Sequence, residues 1–380
     1  MESKMTGYAS PVSMARPKRI EFGCGVVEKV GAYVTTNGFK RIFVVADAFN
    51  AGRVDLLKLR GEVTVFGDVE SEPDISNLER SLDAAERVQP DVVVGFGGGS
   101  AMDLAKLISV LLNSGKKVSE ISGLENTPPR RCGLVQVPTT SGTGSEAGAR
   151  ALVTDPATQN KIAVDSTHMI ADLAVVDPDL TLTVPPAVTA FTGVDAMAHC
   201  VEAYTNRKAH PLVDMYAIQG IRLVGKFLAR AVADGSDREA RAGLSAASLY
   251  GGFCLGPVNT AAGHAVAYPL GTRHHIAHGA ANTLIFPHVL AFNAPAVPEK
   301  TMAILQALNL HTSKEEGAVF EESYSFCQGL GVEMHMSGWG VPEHDLPRMA
   351  DEAFAIRRLL DNNPRELSRD AILSIYRRAF

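Results

Sequence analysis

The chain has 380 residues, of which 46% are hydrophobic and 21% charged, with a formal net charge of −6. That length exceeds a comfortable single core and predicts two domains. The acidic balance and the scattered Lys and Arg exclude nucleic acid and anionic membranes as expected partners. No apolar run reaches the ~18 residues of a membrane span, and Met1–Arg16 lack the apolar centre of a secretory signal. That stretch reads as a loose tail or an added leader. Five cysteines (Cys24, Cys132, Cys200, Cys254 and Cys327) lie far apart with no CxxC spacing. They suit a reduced cytoplasmic protein with buried, unpaired thiols.

The first half alternates short β-branched runs with amphipathic ones. Residues 41–47, 62–66, 91–96 and 133–138 read as continuous apolar strands of the kind buried on both faces. Between them Ile75, Leu78, Leu82, Ala85 and Val88 step by three and four, which predicts a helix over about 74–88. Strand and helix in alternation predict a doubly wound α/β domain with a parallel sheet over 1–184. Val184-Pro185-Pro186 then reads as a hinge. Alanine and leucine at helical spacing follow, with helices expected near 187–205, 211–233, 238–255, 260–269 and 279–293 and several more to the end. An all-helical domain over 185–380 is the expectation.

Two loops of the first domain suit a nucleotide. Strand 91–95 runs into Gly95-Phe96-Gly97-Gly98-Gly99-Ser100, where glycines permit close approach and a helix N-terminus would face a pyrophosphate. A plain strand-to-helix reversal is the competing reading. The turn is also not a regular GxGxxG, because the acidic residue expected about 20 positions on is missing. Asp47, ending an earlier strand, could take the adenosine ribose instead and so favour NAD over NADP, or could simply cap a helix. Pro138-Thr139-Thr140-Ser141-Gly142-Thr143-Gly144-Ser145-Glu146 offers hydroxyls to ribose and phosphate, or is a surface loop. Lys161 alone reads as a surface lysine.

In the second domain Asp195 and His199 stand four apart on an expected helix and so project from one face. With His264 and His278, each in a glycine-flanked stretch, they would make a three-nitrogen, one-oxygen set. Such a set suits Fe²⁺ or Zn²⁺ better than Ca²⁺. Local capping by Asp195, with polar histidines at helix ends, is the plainer alternative. Cys200 points away from any such ion and reads as packing.

Taken in order, GGGSAMDLAK at 97–106, PTTSGTGSE at 138–146, GVDAMAHCVEAY at 193–204, GHAVAYPLG at 263–271 and HGAANTLIFPHVLAFN at 278–293 resemble the iron-containing (group III) alcohol dehydrogenase family. The likeness runs from about Ile20 to the end. It implies a dinucleotide-binding domain, a helical metal domain and a cleft between them, in an architecture similar to dehydroquinate synthase. It implies that Asp195, His199, His264 and His278 are ligands of Fe²⁺, with Zn²⁺ the alternative. By the same likeness Asp47, Gly98, Gly99, Ser100, Thr139, Thr140, Thr143 and Lys161 touch NAD. The implied activity is reversible hydride transfer between a small alcohol or aldehyde and NAD, in a homodimer or larger assembly.

One departure stands out. Many relatives carry a second histidine four residues after the ligand matching His264, and here that position is Tyr268. A neutral phenol binds metal weakly and is no base near pH 7, so Tyr268 is expected to shape the pocket. His274 and His275, expected on a loop, are candidates for proton relay, and Arg273 beside them suggests room for an anionic substituent. His288, ten residues past His278, lies too far along the helix to share the ion. His168, His210, His311, His335 and His344 read as surface residues. The rival functions are a maleylacetate reductase-like reduction of an acidic substrate without metal, glycerol dehydrogenase-like polyol oxidation, the dehydroquinate synthase lyase reaction, and a nucleotide-binding or metal-storage module without catalysis.

Overall fold

The computed structural model describes residues 7–158 and 160–380, and the tail or leader reading of residues 1–6 lies outside them. The chain divides into two compact units, Ala15–Thr183 and Val184–Phe380, the second joined by residues 7–14. The sequence places that segment with the first domain. Its packing differs because His210 anchors it: the Nδ1 of this buried ring accepts from Leu212 N, and its Nε2 lies 3.0 Å from the Ser10 carbonyl. The Tyr8 ring stands 6.5 Å away, edge to face. His210 is therefore a buried helix cap and not a surface residue.

In the unit Ala15–Thr183 the elements follow the chain as β1 (Arg19–Phe22), α1 (Lys29–Thr36), β2 (Arg41–Val45), α2 (Ala48–Ala51), β3 (Glu62–Phe66), α3 (Ile75–Val88), β4 (Val92–Gly97), α4 (Gly99–Leu111), β5 (Gly123–Leu124), β6 (Gly133–Pro138), β7 (Arg150–Asp155), β8 (Asn160–Asp165) and β9 (Leu173–Val176). Six strands form a wholly parallel sheet in the order β1-β9-β6-β4-β2-β3. Alternation along each strand fills both faces. Phe43, Val45, Val93 and Leu134 pack with α3 and α4 on one side. Ile42, Val44, Val92, Val94 and Val135 pack with Val30 and Val34 of α1 on the other. This two-sided burial explains the uninterrupted apolar runs. A second sheet, β5-β8-β7, was not expected; β7 and β8 pair antiparallel from Arg150↔Asp165 to Asp155↔Asn160.

The unit containing Val184–Phe380 is helical, and no strand occurs among its described residues. Its helices are α5 (Pro186–Thr205), α6 (Pro211–Ala233), α7 (Arg238–Leu255), α8 (Ala262–His274), α9 (His278–Asn293), α10 (Pro298–Ala307), α11 (Glu316–Gln328), α12 (Leu346–Ala355), α13 (Arg357–Leu360) and α14 (Arg369–Ala379). Pro186 and Pro211 open α5 and α6 at the first turn, where the missing N–H has no partner to lose. Helix α8 does not stop at Pro269 as the sequence suggests. Pro269 and Leu270 are buried there, and packing outweighs the one backbone bond a proline forfeits. His274 consequently ends a helix rather than lying on a loop, with His275 as its left-handed cap at φ 55°. Among the described residues no helix is long and apolar enough to cross a membrane.

Candidate metal centre and nucleotide turn

Helix α5 is apolar on nearly every side, so Asp195 and His199 project from it into protein and not into water. Asp195 is 2% exposed and His199 5%. His264 enters from the first turn of α8, and His278 is the first residue of α9. One ligand atom from each of the four residues lies within 4.8 Å of all the others. Asp195 Oδ1 is 3.9 Å from His199 Nε2, 3.7 Å from His264 Nε2 and 3.6 Å from His278 Nε2. One oxygen and three imidazole nitrogens at this spacing fit a divalent ion of intermediate hardness.

The protonation states of Asp195 and His199 agree with that role. Burial alone would raise the Asp195 carboxyl, yet the three facing histidines hold it below the ordinary value. Burial pushes His199 down to about 4, so its ring is neutral and its lone pair free. Burial also opposes charge on His264, but Glu202 and Asp195 outweigh it and raise that ring.

Two residues in contact with the ligands were not foreseen. Glu202 is 6% exposed, and its Oε1 lies 2.6 Å from His264 Nδ1 while its Oε2 accepts from Ala261 N. An Nδ1–H donated to that carboxylate leaves Nε2 as the lone-pair side facing the other ligands. Asn282 Nδ2 donates to Asp195 Oδ1 at 2.6 Å and lies 3.1 and 3.2 Å from the Nε2 atoms of His264 and His278. Its Oδ1 is buried with no protein partner. A single amide thus spans three of the four ligand atoms.

In the α/β unit, Asp47, Gly97–Gly99 and Thr139 follow the C-terminal ends of β2, β4 and β6, which are neighbours in the sheet. That edge is where open parallel sheets hold ligands. Asp47 caps α2 by accepting from Asn50 N at 3.0 Å, and Asn50 Nδ2 bridges its carboxylate to Thr139 Oγ1 at 2.7 and 3.2 Å. The capping and cofactor readings of Asp47 are therefore compatible. No side chain caps the first turn of α4, which starts from Gly98, so its N–H groups remain available to an anion. Gly99 is required by contact: a Cβ there would sit 2.8 Å from Thr143 Cγ2. Ser100, Thr140 and Thr143 are partly exposed around the same turn. Buried Lys106 locks the two loops together, donating to Ser145 Oγ at 2.8 Å and Arg150 O at 2.7 Å, while Ser145 donates to Asp103 Oδ1 at 2.6 Å. Lys161 is no surface residue; it lies on β8 with a side chain 10% exposed and pairs with Glu72.

Residues 17–178 match the family model "Iron-containing alcohol dehydrogenase", and residues 189–380 match "Fe-containing alcohol dehydrogenase family, C-terminal". The chain belongs to the iron-containing alcohol dehydrogenase family. It is 36% identical to long-chain-alcohol dehydrogenase 1 of Geobacillus thermodenitrificans, over 97% of this chain and 98% of the relative. With the sulfoacetaldehyde reductase of Bilophila wadsworthia it shares 33%, over 94% and 96%. The crystal structure of a 1,3-propanediol oxidoreductase superposes with a TM-score of 0.92 at 32% identity, covering 97% of this chain and all of that one (100%). Membership in this iron-containing family, together with the donor set, makes the chain a metal-dependent, NAD-linked alcohol or aldehyde dehydrogenase.

Within this iron-containing dehydrogenase the remaining candidates fall as follows. The Tyr268 ring lies 5.9 Å from the His278 ring, beside the ligands as expected. His274 Nε2 is 3.4 Å from Asp345. Arg273 is not open to a substrate anion: its guanidinium is held by Glu352 at 3.1 Å and Asp345 at 3.3 Å, and its side chain is 11% exposed. Its charge is already neutralised inside the fold.

Proposed function

We propose that the protein interconverts a small, uncharged primary or secondary alcohol and its carbonyl product, with NAD as hydride partner and Fe²⁺ as resident ion. The gathering of Asp195, His199, His264 and His278 carries this reading. Held by these residues, the ion would supply Lewis acidity at the alcohol oxygen, and a bound nicotinamide would supply the hydride chemistry. Zn²⁺ suits the same donors, and iron is preferred on family membership. Glu202 fixes the tautomer of His264, and Asn282 orients the Asp195 carboxylate. Gly98, Gly99 and Ser100 at the uncapped turn of α4 receive the pyrophosphate, with Thr139, Thr140 and Thr143 beside them. Asp47 receives the adenosine ribose and disfavours a 2′-phosphate. Lys161 is assigned to the cofactor by family likeness alone.

Tyr268 walls the site without acting as a base. His274, ten residues beyond His264 and so about 15 Å along α8, serves proton exit toward solvent rather than the first transfer. The paired state of Arg273 favours neutral over anionic substrates. Four intact donors disfavour a metal-independent reaction of the maleylacetate reductase kind. Cys132, Cys200, Cys254 and Cys327 are buried thiols, which suits a reducing compartment; we place the protein in the cytoplasm, as a homodimer or larger assembly by family pattern.

The test is metal analysis of protein purified without added ions, followed by NAD-linked assays on neutral and acidic alcohols and aldehydes. His264→Ala is expected to lose ion and turnover while NAD binding survives. Full activity in that variant overturns the assignment.

A further inference from the structure

A cavity of about 620 Å³ opens within the helical unit, a size suited to a drug-sized organic ligand. Its walls include His288 and Phe292 of α9, Glu316 and Phe320 of α11, Arg365, and Arg378 of α14. His288 stands ten residues beyond ligand His278 on one helix, about 15 Å along the axis, so this is not the metal site.

The chemistry of the walls is specific. His288 is 5% exposed, yet neither ring nitrogen has a hydrogen-bond partner, an arrangement proteins rarely leave unfilled. Burial, then the charges of Arg378 and His335, hold this imidazole neutral, so it offers one donor and one acceptor. Phe320 stands 4.9 Å from it, ring to ring, and the Arg365 guanidinium lies 4.1 Å over Phe292. Phe292 and Phe320 both line the space, and the Arg365 guanidinium covers one face of Phe292. Arg365 and Arg378 each lie 3.7 Å from the Glu316 carboxylate, outside hydrogen-bond range. Two cations against one loosely held anion leave one positive charge in excess, and Arg378 still has donors to give.

We propose that this cavity is a second binding site, separate from the ion, for a small monocarboxylate with a flat apolar body and a hydroxyl group. The carboxylate pairs with Arg378 at the rim, the body lies between Phe292 and Phe320, and the hydroxyl completes His288 at the base. No bond is made or broken there.

The probe is 4-hydroxybenzoate, titrated calorimetrically into the full-length, metal-loaded protein, with benzoate as the analogue lacking the hydroxyl. Saturable one-to-one binding is expected, weaker for benzoate. Arg378→Ala should weaken both at least tenfold, and His288→Phe should erase the difference between them, with metal content and alcohol oxidation unchanged. Should His288→Phe fail to fold, Arg378→Ala, whose side chain is 67% exposed, carries the test alone. Absence of saturable binding overturns the proposal. So does binding that is indifferent to Arg378→Ala and competitive with alcohol, which would place the acid at the metal centre.

Discussion

Replacing Glu202 by Gln changes one atom and should disable the ion site from behind. The carboxylate accepts from His264 Nδ1 on one oxygen and, on the other, from Ala261 N and more distantly from His264 N at 3.5 Å. A glutamine offers one oxygen and one NH₂. If the oxygen stays with Nδ1, the NH₂ faces the Ala261 N–H, and a buried donor loses its acceptor at about 1–3 kcal/mol. If the amide turns, His264 must take the other tautomer, which puts a proton on the nitrogen that faces Asp195. Either way the negative charge supporting the ring is gone, and partners of this kind contribute roughly 10–100-fold in metal affinity. That range corresponds to about 1.4–2.8 kcal/mol. The assay is competition for Fe²⁺ (anaerobic) or Zn²⁺ against a chromophoric chelator, with NAD binding followed in parallel. Gly263→Ala gives an independent arm, since a Cβ there would stand 2.5 Å from Glu202 Oε1 and displace the same carboxylate. Metal affinity within twofold of wild type in both variants would refute the reasoning.

Asn282→Leu removes the donor to Asp195 Oδ1 and should lower the stability of the metal-free protein by about 1–3 kcal/mol; an unchanged calorimetric transition without ion counts against it. Asp47→Ala should cost about 1 kcal/mol through the lost cap and, separately, raise kcat/KM for NADP relative to NAD. A stability loss with no change in that ratio leaves Asp47 as a cap only. His288 gives a pH dependence of definite sign. Its folded value, lowered by burial to about 4, lies below the ordinary 6.5. Between those values the unfolded chain holds a proton the folded chain lacks. Stability is thus full above about 6.5 and lost as pH falls toward 4, by up to about 3 kcal/mol. His288→Phe should flatten that part of the stability–pH curve in denaturant titrations, and an undiminished slope would assign the loss elsewhere.

What the chain order revealed was whatever one helix or one strand end carries by itself. Asp195 and His199 are neighbours on α5 because helical geometry makes them so, and Gly98–Ser100 follow a strand whose apolar run is continuous. The same geometry held two signals that went unread. Glu202 lies seven residues after Asp195 and three after His199, on the same stripe of α5, and Asn282 lies four after His278 on α9. A carboxylate or amide continuing a ligand stripe is therefore a candidate second partner on sequence alone. The β7–β8 hairpin escaped because its strands are only half buried and alternate, unlike the runs used to find the parallel sheet. Arg273 and Lys161 mark the boundary of such reading. Their partners Asp345, Glu352 and Glu72 are 72, 79 and 89 residues away, and no local pattern announces an ion pair of that span. Arg273 looks like a substrate anchor in one dimension, but with both carboxylates in place a substrate anion would have to displace a charge pair already made within the fold. That competition is the physical ground for expecting neutral alcohols to outrun acidic ones, and a strong preference for an acidic substrate, lost on Arg273→Ala, would reverse the argument.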